Sequence, residues 1–224
     1  VSAGFDKHYH LESSEKHQVA GQYFDATKET RLATKSTRGY VLVGPKGKMN
    51  SVFFHAKCGG RTLVPEDVWQ NKVLGYKSVT CKRCDKKIDK KFKQQITKKR
   101  FLNFLKWSKD NNHFNRKIEI GENPSIYLLK DYDYGRKIRL YVNNVSLFIK
   151  KSVVRRYFGR VVVPSNNFVL SFNKVNNSYH IAGRGNGHGV GMCQMGALDL
   201  AQKGWSYKKI LSHYYPNHKL KKVY

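Results

Sequence analysis

Gly183-Arg184-Gly185-Asn186-Gly187-His188-Gly189-Val190-Gly191-Met192-Cys193-Gln194-Met195-Gly196-Ala197 is the stretch that decides how this chain is read. Five glycines fall between positions 183 and 191. Such a run lets the backbone come close to a ligand or to another segment. It leads directly into a helix start, where free N–H groups and the positive end of the helix dipole attract anions. His188 sits inside the loop, where functional polar groups concentrate. The GxxxxGK[ST] spacing of a P-loop is absent, and no acidic residue follows at the distance a dinucleotide fingerprint requires. The same spacing also fits a tight strand-to-helix turn around a core histidine.

Working outward, Tyr179-His180-Ile181-Ala182 reads as the strand before the loop. A helix is expected from Gly191 through Ala201, stopped by Lys203-Gly204, and a last one from Tyr207 to Tyr214, stopped by Pro216. Residues 125–175 carry β-branched and aromatic runs between polar turns: Ile126-Tyr127-Leu128-Leu129, Ile138-Arg139-Leu140-Tyr141-Val142, Val161-Val162-Val163 and Phe168-Val169-Leu170-Ser171-Phe172. A short helix is expected over Lys151 to Phe158. Residues 38–56 read as a hairpin turning at Gly44-Pro45-Lys46-Gly47, and residues 59–85 as loop. Ile88, Phe92 and Ile96 recur every four positions, so about 86–107 reads as a basic amphipathic helix. Strands and helices interleave without a βαβ rhythm. The expected class is α+β, with mixed strands and short helices in one domain over 1–224.

The 224 residues hold 43 Lys+Arg against 15 Asp+Glu, a formal net charge of +28, with 40% hydrophobic and 13% aromatic residues. That composition supports a packed core and excludes whole-chain disorder. No apolar run reaches the roughly 18 residues of a membrane-spanning helix. The charge points to a polyanionic partner, either nucleic acid or an anionic polysaccharide or membrane surface. A solvated lysine-rich surface fits as well. No zinc-finger or helix-turn-helix pattern is present, so charge by itself identifies no partner.

The Gly-rich stretch, followed by Ala201-Gln202-Lys203-Gly204 and Ile210-Leu211-Ser212-His213-Tyr214-Tyr215-Pro216, resembles the C-terminal signature of the stage II sporulation protein D family, GRGxGHGVGxxQxGA, AxxG, ILxHYYP. Earlier segments are similar in the same order. These are His10-Leu11 through Gln18 and Gly21, then Thr37-Arg38-Gly39-Tyr40-Val41-Leu42, and then Phe54-His55-Ala56-Lys57-Cys58-Gly59-Gly60-Arg61-Thr62 with Val68-Trp69. Arg155-Arg156-Tyr157-Phe158-Gly159 with Pro164-Ser165-Asn166-Asn167-Phe168 completes the series. Asn186 and Met195 stand where the family commonly has Trp, which removes two aromatic faces for sugar stacking.

The resemblance implies a peptidoglycan lytic transglycosylase in the cell envelope, acting on glycan strands whose stem peptides an amidase has removed. In that chemistry a protonated Glu donates to the glycosidic oxygen. The resulting carboxylate takes the 6-hydroxyl proton as a 1,6-anhydro ring closes on the muramic residue. One carboxyl group serves twice, unlike the paired carboxylates of hydrolases. No segment of this chain matches the family's catalytic helix. The expected Glu therefore lies upstream of Val1, lost by processing or truncation or retained as a separately bound peptide; otherwise the protein is a non-catalytic glycan binder. Glu12 and Glu15 lie nearby in an unrelated motif. The implied groove residues are His55, Cys58, Gly59, Gly60, Arg184, His188, Gln194, Tyr214 and Tyr215. In this reading Arg184 and His188 position the sugar or its carboxylate, His55 and Gln194 bond hydroxyls, and Tyr214 stacks. The partners implied are peptide-stripped glycan and an amidase, with no nucleic acid. The rival readings are an amidase activator without catalysis and a nucleic-acid binder.

Cys81-Lys82-Arg83-Cys84 is a CxxC, half of a common zinc site and also a redox spacing. A structural zinc held by Cys58, Cys81, Cys84 and either Cys193 or His55 competes with one or two disulfides and with free buried thiols. Four thiolates would leave no open position for water, so this zinc would be structural and the chemistry requires no cofactor. His8, His10, Glu12 and His17 form a second, histidine-rich candidate cluster.

Overall fold

A computed structural model describes residues 26–49, 51–69, 71–81, 84, 91–130 and 136–224. The histidine-rich cluster, Glu12, Glu15 and the first family-like segment lie outside them. The described residues form an α+β assembly of six α-helices and ten short strands. None of these helices is long and apolar enough to cross a membrane.

The chain divides into two compact units, Val1–Val41 with Lys221–Tyr224, and Leu42–Leu220. In the first, helix α1 (Lys28–Ser36) starts where the Thr27 side chain accepts from the Thr30 N–H at 3.3 Å. The Val223 N–H donates to the Gly39 carbonyl at 2.8 Å and joins the two segments of this unit.

The second unit contains two three-stranded antiparallel sheets. One has the order β3 (Lys91–Thr97), β8 (Ser178–Arg184), β7 (Phe168–Asn173); the other is a meander of β4 (Ile126–Leu128), β5 (Lys137–Val142) and β6 (Val145–Lys150). Asn143 and Asn144, at φ 49° and 64°, make the two-residue turn between β5 and β6; the primed turns that suit twisted hairpins need this left-handed geometry. Period-2 alternation sends Ile138, Leu140 and Val142 inward and Lys137, Arg139 and Tyr141 outward. The inward set packs on Phe101, Phe104 and Leu105 of α3 (Lys98–Asp110) and on Val153, Val154 and Phe158 of α4 (Lys151–Val162), with Phe168 and Ile181 closing the core.

Four local expectations need correction. Of the segment expected to be helical over 86–107, positions 86–90 lie outside the described residues, Lys91 to Thr97 is strand β3, and the helix begins only at Lys98. A spacing of four residues keeps one face of a strand as well as of a helix, so Phe92 and Ile96 could not decide between them. The Thr97 side chain sets the switch, accepting from the Arg100 N–H at 3.2 Å as the helix N-cap. Val161 and Val162 end α4 rather than forming a strand, past a break at Gly159 (φ 83°). The expected hairpin over 38–56 closes only at its turn, where Val43 and Met49 form an antiparallel bridge; the segment from Ser51 to His55 does not return along β1 (Tyr40–Val43). Instead, β2 (Phe54–His55) pairs in parallel with β9 (Met192–Cys193), through Phe54 with Met192 and His55 with Cys193. The helix expected from Gly191 begins at Gln194, because Met192 and Cys193 belong to that strand pair.

Candidate functional site

The Gly-rich loop leaves β8 at Arg184 and is laced to two other segments. Lys57 and Asn186 exchange backbone hydrogen bonds at 2.9 and 2.8 Å, the Gly187 N–H donates to the Pro164 carbonyl at 3.0 Å, and the Leu63 N–H donates to the Gly189 carbonyl at 2.7 Å. Gly185 (φ 95°) lies so close to the Lys57 backbone that a Cβ would fall 2.7 Å from its carbonyl oxygen, and Gly191 (φ 72°) leaves a Cβ no room beside the Phe53 carbonyl. At both positions the loop depends on a left-handed backbone and on the absence of a side chain.

Buried side chains fix the same loop. Ser165 Oγ donates to the Arg184 carbonyl at 2.6 Å, and Asn166 Nδ2 donates to the His188 carbonyl at 3.0 Å. Arg155 Nε donates to the Pro164 carbonyl at 3.3 Å. The Val190 N–H donates to His188 Nδ1 at 3.0 Å, and His55 Nδ1 donates to the Val190 carbonyl at 3.0 Å. Burial, helped by His55 and by Arg155 and Arg160, brings the His188 pKa down to about 4, with the Phe54 carbonyl acting the other way. The imidazole is therefore neutral at pH 7.

His188 belongs to a half-buried aromatic wall. Its ring centroid is 5.1 Å from Trp69, 5.7 Å from His55 and 6.5 Å from Phe53; Phe53 lies 4.8 Å from Trp69 and 5.7 Å from Tyr76. Trp69 is anchored through its backbone. Helix α2 (Pro65–Val68) begins where Asp67 Oδ2 accepts from the Val64 N–H at 3.0 Å, and Lys150 Nζ donates to the Glu66 and Trp69 carbonyls at 2.7 and 2.9 Å. Arg136 pairs with Asp67 at 2.9 Å, yet burial outweighs this attraction and holds the Asp67 carboxyl above its ordinary range. In the segments that carry the loop, the buried atoms Lys57 Nζ and Asn166 Oδ1 have no hydrogen-bond partner among the described residues. Such atoms cost about 1–3 kcal/mol each unless something satisfies them.

Directly beneath β9, the sulfurs of Cys58, Cys81, Cys84 and Cys193 all lie within 4.8 Å of one another, and all four residues are buried. The thiols are free rather than disulfide-bonded. Cys84 Sγ and Cys193 Sγ are 3.4 Å apart, whereas a tetrahedral site with metal–sulfur bonds near 2.3 Å spaces its sulfurs by about 3.8 Å. Backbone N–H groups point at the sulfurs: Cys58 and Gly196 donate to Cys193 Sγ at 3.3 and 3.4 Å, and Gly60 donates to Cys58 Sγ at 3.3 Å. Hydrogen bonding from Cys58, Cys81 and Cys84 pulls the Cys193 thiol far down, and the same contact with Cys193 pushes Cys58 and Cys84 up. A thiolate ringed by thiol and amide donors is a donor set suited to a soft cation, and the four cysteines are close enough together to hold a metal ion. Cys193 fills the fourth position, so His55 is not needed as a ligand.

The sequence-expected residues therefore divide by position. His55, Cys58, Gly59, Gly60 and the backbone at Arg184 lie under or within the loop. Gly59 receives Asn167 Nδ2 on its carbonyl at 3.0 Å. His188 stands in the aromatic wall, and Gln194 is exposed at the start of α5 (Gln194–Gln202). Tyr214 and Tyr215, at the end of α6 (Tyr207–Tyr214) and just past it, are each 1% exposed. Tyr214 Oη contacts Cys81 Sγ at 3.5 Å, and Tyr215 Oη donates to the Phe53 carbonyl at 2.7 Å. The stacking face expected of Tyr214 is covered, and the pair props up the thiol centre and the wall. Phe53, Trp69, Tyr76 and Arg155 were not singled out as site residues. Only the Val68-Trp69 motif and the Arg155-Arg156 pair hinted at them.

Fold and site define an α+β protein with a glycine-laced histidine loop set over a four-thiol centre. No family model matches the chain. It is 31% identical over 208 residues to an uncharacterized protein of Brachyspira hyodysenteriae, covering 92% of this chain and 52% of that protein. It is 38% identical over 71 residues to the amidase enhancer of Bacillus subtilis, covering 32% of this chain and 10% of that protein. The chain thus spans about half the length of the first relative and a tenth of the second.

Proposed function

We propose that this chain binds bacterial cell-wall glycan from which the stem peptides have been removed, and that the whole protein is an envelope lytic transglycosylase of the stage II sporulation protein D type. The observation that carries the reading is the aromatic wall of Trp69, Phe53 and neutral His188. A pyranose ring offers the complement, a C–H face that lies flat on aromatic rings. Peptide-free glycan also exposes a lactyl carboxylate on each muramic residue, which suits a chain of net charge +28.

In this proposal the neutral His188 ring keeps the wall uncharged, Arg155 and Arg184 lie at the loop's base for the carboxylate, and Gln194 reaches a hydroxyl. The proton donor is the catalytic Glu that the resemblance implies and that no segment of this chain matches, acting as acid and then base while the anhydro ring closes. The thiol centre is proposed as a structural zinc site that clamps the Cys58 turn to the start of α5, with no part in the chemistry.

The test is to incubate amidase-treated sacculi with the full-length protein and follow 1,6-anhydro-muramic ends by mass spectrometry. New anhydro ends support the enzyme. Binding without such ends supports the second reading, a non-catalytic activator of an amidase, which the similarity to an amidase enhancer favours; stimulation of amidase turnover then decides it. Absence of glycan binding overturns both.

A further inference from the structure

The outward face of the β4–β5–β6 meander carries a set of side chains that the loop site does not use. Tyr127 is 64% and Tyr141 37% exposed, and the two stand directly opposite each other on neighbouring strands. Next along the same face, Arg139 is paired in register with Phe148, its guanidinium carbon 5.5 Å from the ring centroid. Lys137 pairs in register with Lys150, and Lys150 turns its Nζ to the Trp69 carbonyl. The described outward positions of the three strands include no carboxylate. Solvent-facing sheet positions ordinarily hold polar residues, so aromatic rings alternating with cations on such a face need a reason.

We infer that this face is a second binding surface for an anionic glycan strand, continuous with the loop site through Lys150 and Trp69. The inference rests on the glycan reading above and extends it from a single site to a track. From Lys137 to Tyr141, β5 covers roughly 14 Å, enough for more than one sugar ring. Tyr127 and Tyr141 supply flat faces for successive pyranoses, while Arg139 and Lys137 meet the carboxylates that recur along a peptide-free strand. Phe148 holds the Arg139 guanidinium out over its ring and so limits the directions it can take. The lysine that fixes Trp69 also terminates the track, so a strand lying on the sheet is delivered to the aromatic wall. Single-stranded nucleic acid would also suit aromatics and cations. Continuity with the His188 wall favours the glycan.

The test compares the full-length protein with the Tyr127→Ala/Tyr141→Ala double variant and, separately, Arg139→Gln. Each is titrated with long peptide-free glycan strands and with a muramic tetrasaccharide, and melting curves check that the exposed substitutions leave the fold intact. The expected result is at least a tenfold loss of affinity for long strands and less than a twofold change for the tetrasaccharide. Unchanged affinity for long strands in both variants overturns the track and leaves the loop site standing. No glycan binding by the wild type overturns the loop reading and the track together. Tight binding of single-stranded DNA that depends on Tyr127 and Tyr141, with none of glycan, overturns the choice of partner.

Discussion

His55 and His188 are tied to the same residue in opposite senses: His55 Nδ1 donates to the Val190 carbonyl, while His188 Nδ1 accepts from the Val190 N–H. The neutral His188 ring thereby carries its proton at Nε2, while His55 carries one at Nδ1, with the ring centroids 5.7 Å apart. One backbone residue sets the chemistry of both rings, and the Gly-rich loop sets that residue.

Titration should report this arrangement. Burial holds the folded His188 pKa near 4 against an ordinary 6.5. Between those values the unfolded chain binds the extra proton, so stability is flat above about pH 6.5 and falls as pH drops toward 4. The expected loss is on the order of 3 kcal/mol. Ring NMR should show His188 neutral at pH 5.5, and His188→Gln should flatten the stability profile across that window. A midpoint near 6.5 would contradict the burial argument.

Gly196 has no room for a side chain, since a Cβ there would meet Tyr214 Oη and Cys81 Sγ. Gly196→Ala is expected to destabilise by about 1–3 kcal/mol through overpacking and to lower metal content, measured by melting and by metal analysis of the same sample. Exposed Leu198→Ala in the same helix serves as the control and should change neither.

The thiol centre predicts one metal ion per chain. Chelation, or Cys81→Ser or Cys193→Ser, should lower the melting temperature sharply, because metal affinity adds to folding stability. A stable, metal-free wild type that melts at the same temperature with or without chelator would rule out a structural metal.

Trp69→Ala should weaken glycan binding at least tenfold while costing about 1–2 kcal/mol of stability, because its carbonyl keeps the bond from Lys150. Equal affinity in the variant, by isothermal titration, would remove Trp69 from the site.

Much of the second unit was legible in the sequence. The alternation of Ile138, Leu140 and Val142, and the run from Tyr207 to Tyr214, carry their own periodicity, and both elements are found. The CxxC and the Cys58-Gly59-Gly60 turn marked the thiol centre, but choosing Cys193 over His55 required the fold. Where the reading failed, the deciding partner was distant. β2 pairs with a strand 138 residues away rather than with its neighbour across the turn, which no local pattern encodes. The 91–97 segment failed for a different reason, since period 2 and period 3.6 coincide at a spacing of four. The aromatic wall is assembled from Phe53, Trp69, Tyr76 and His188, each isolated in sequence.

Direct titration of peptide-free glycan strands into the wild type, His188→Ala and Trp69→Ala proteins at two salt concentrations tests the central claim. A glycan site on the wall of His188 and Trp69 predicts saturable, salt-sensitive binding by the wild type that both substitutions weaken at least tenfold. Equal binding by all three proteins, or none by the wild type, would contradict it.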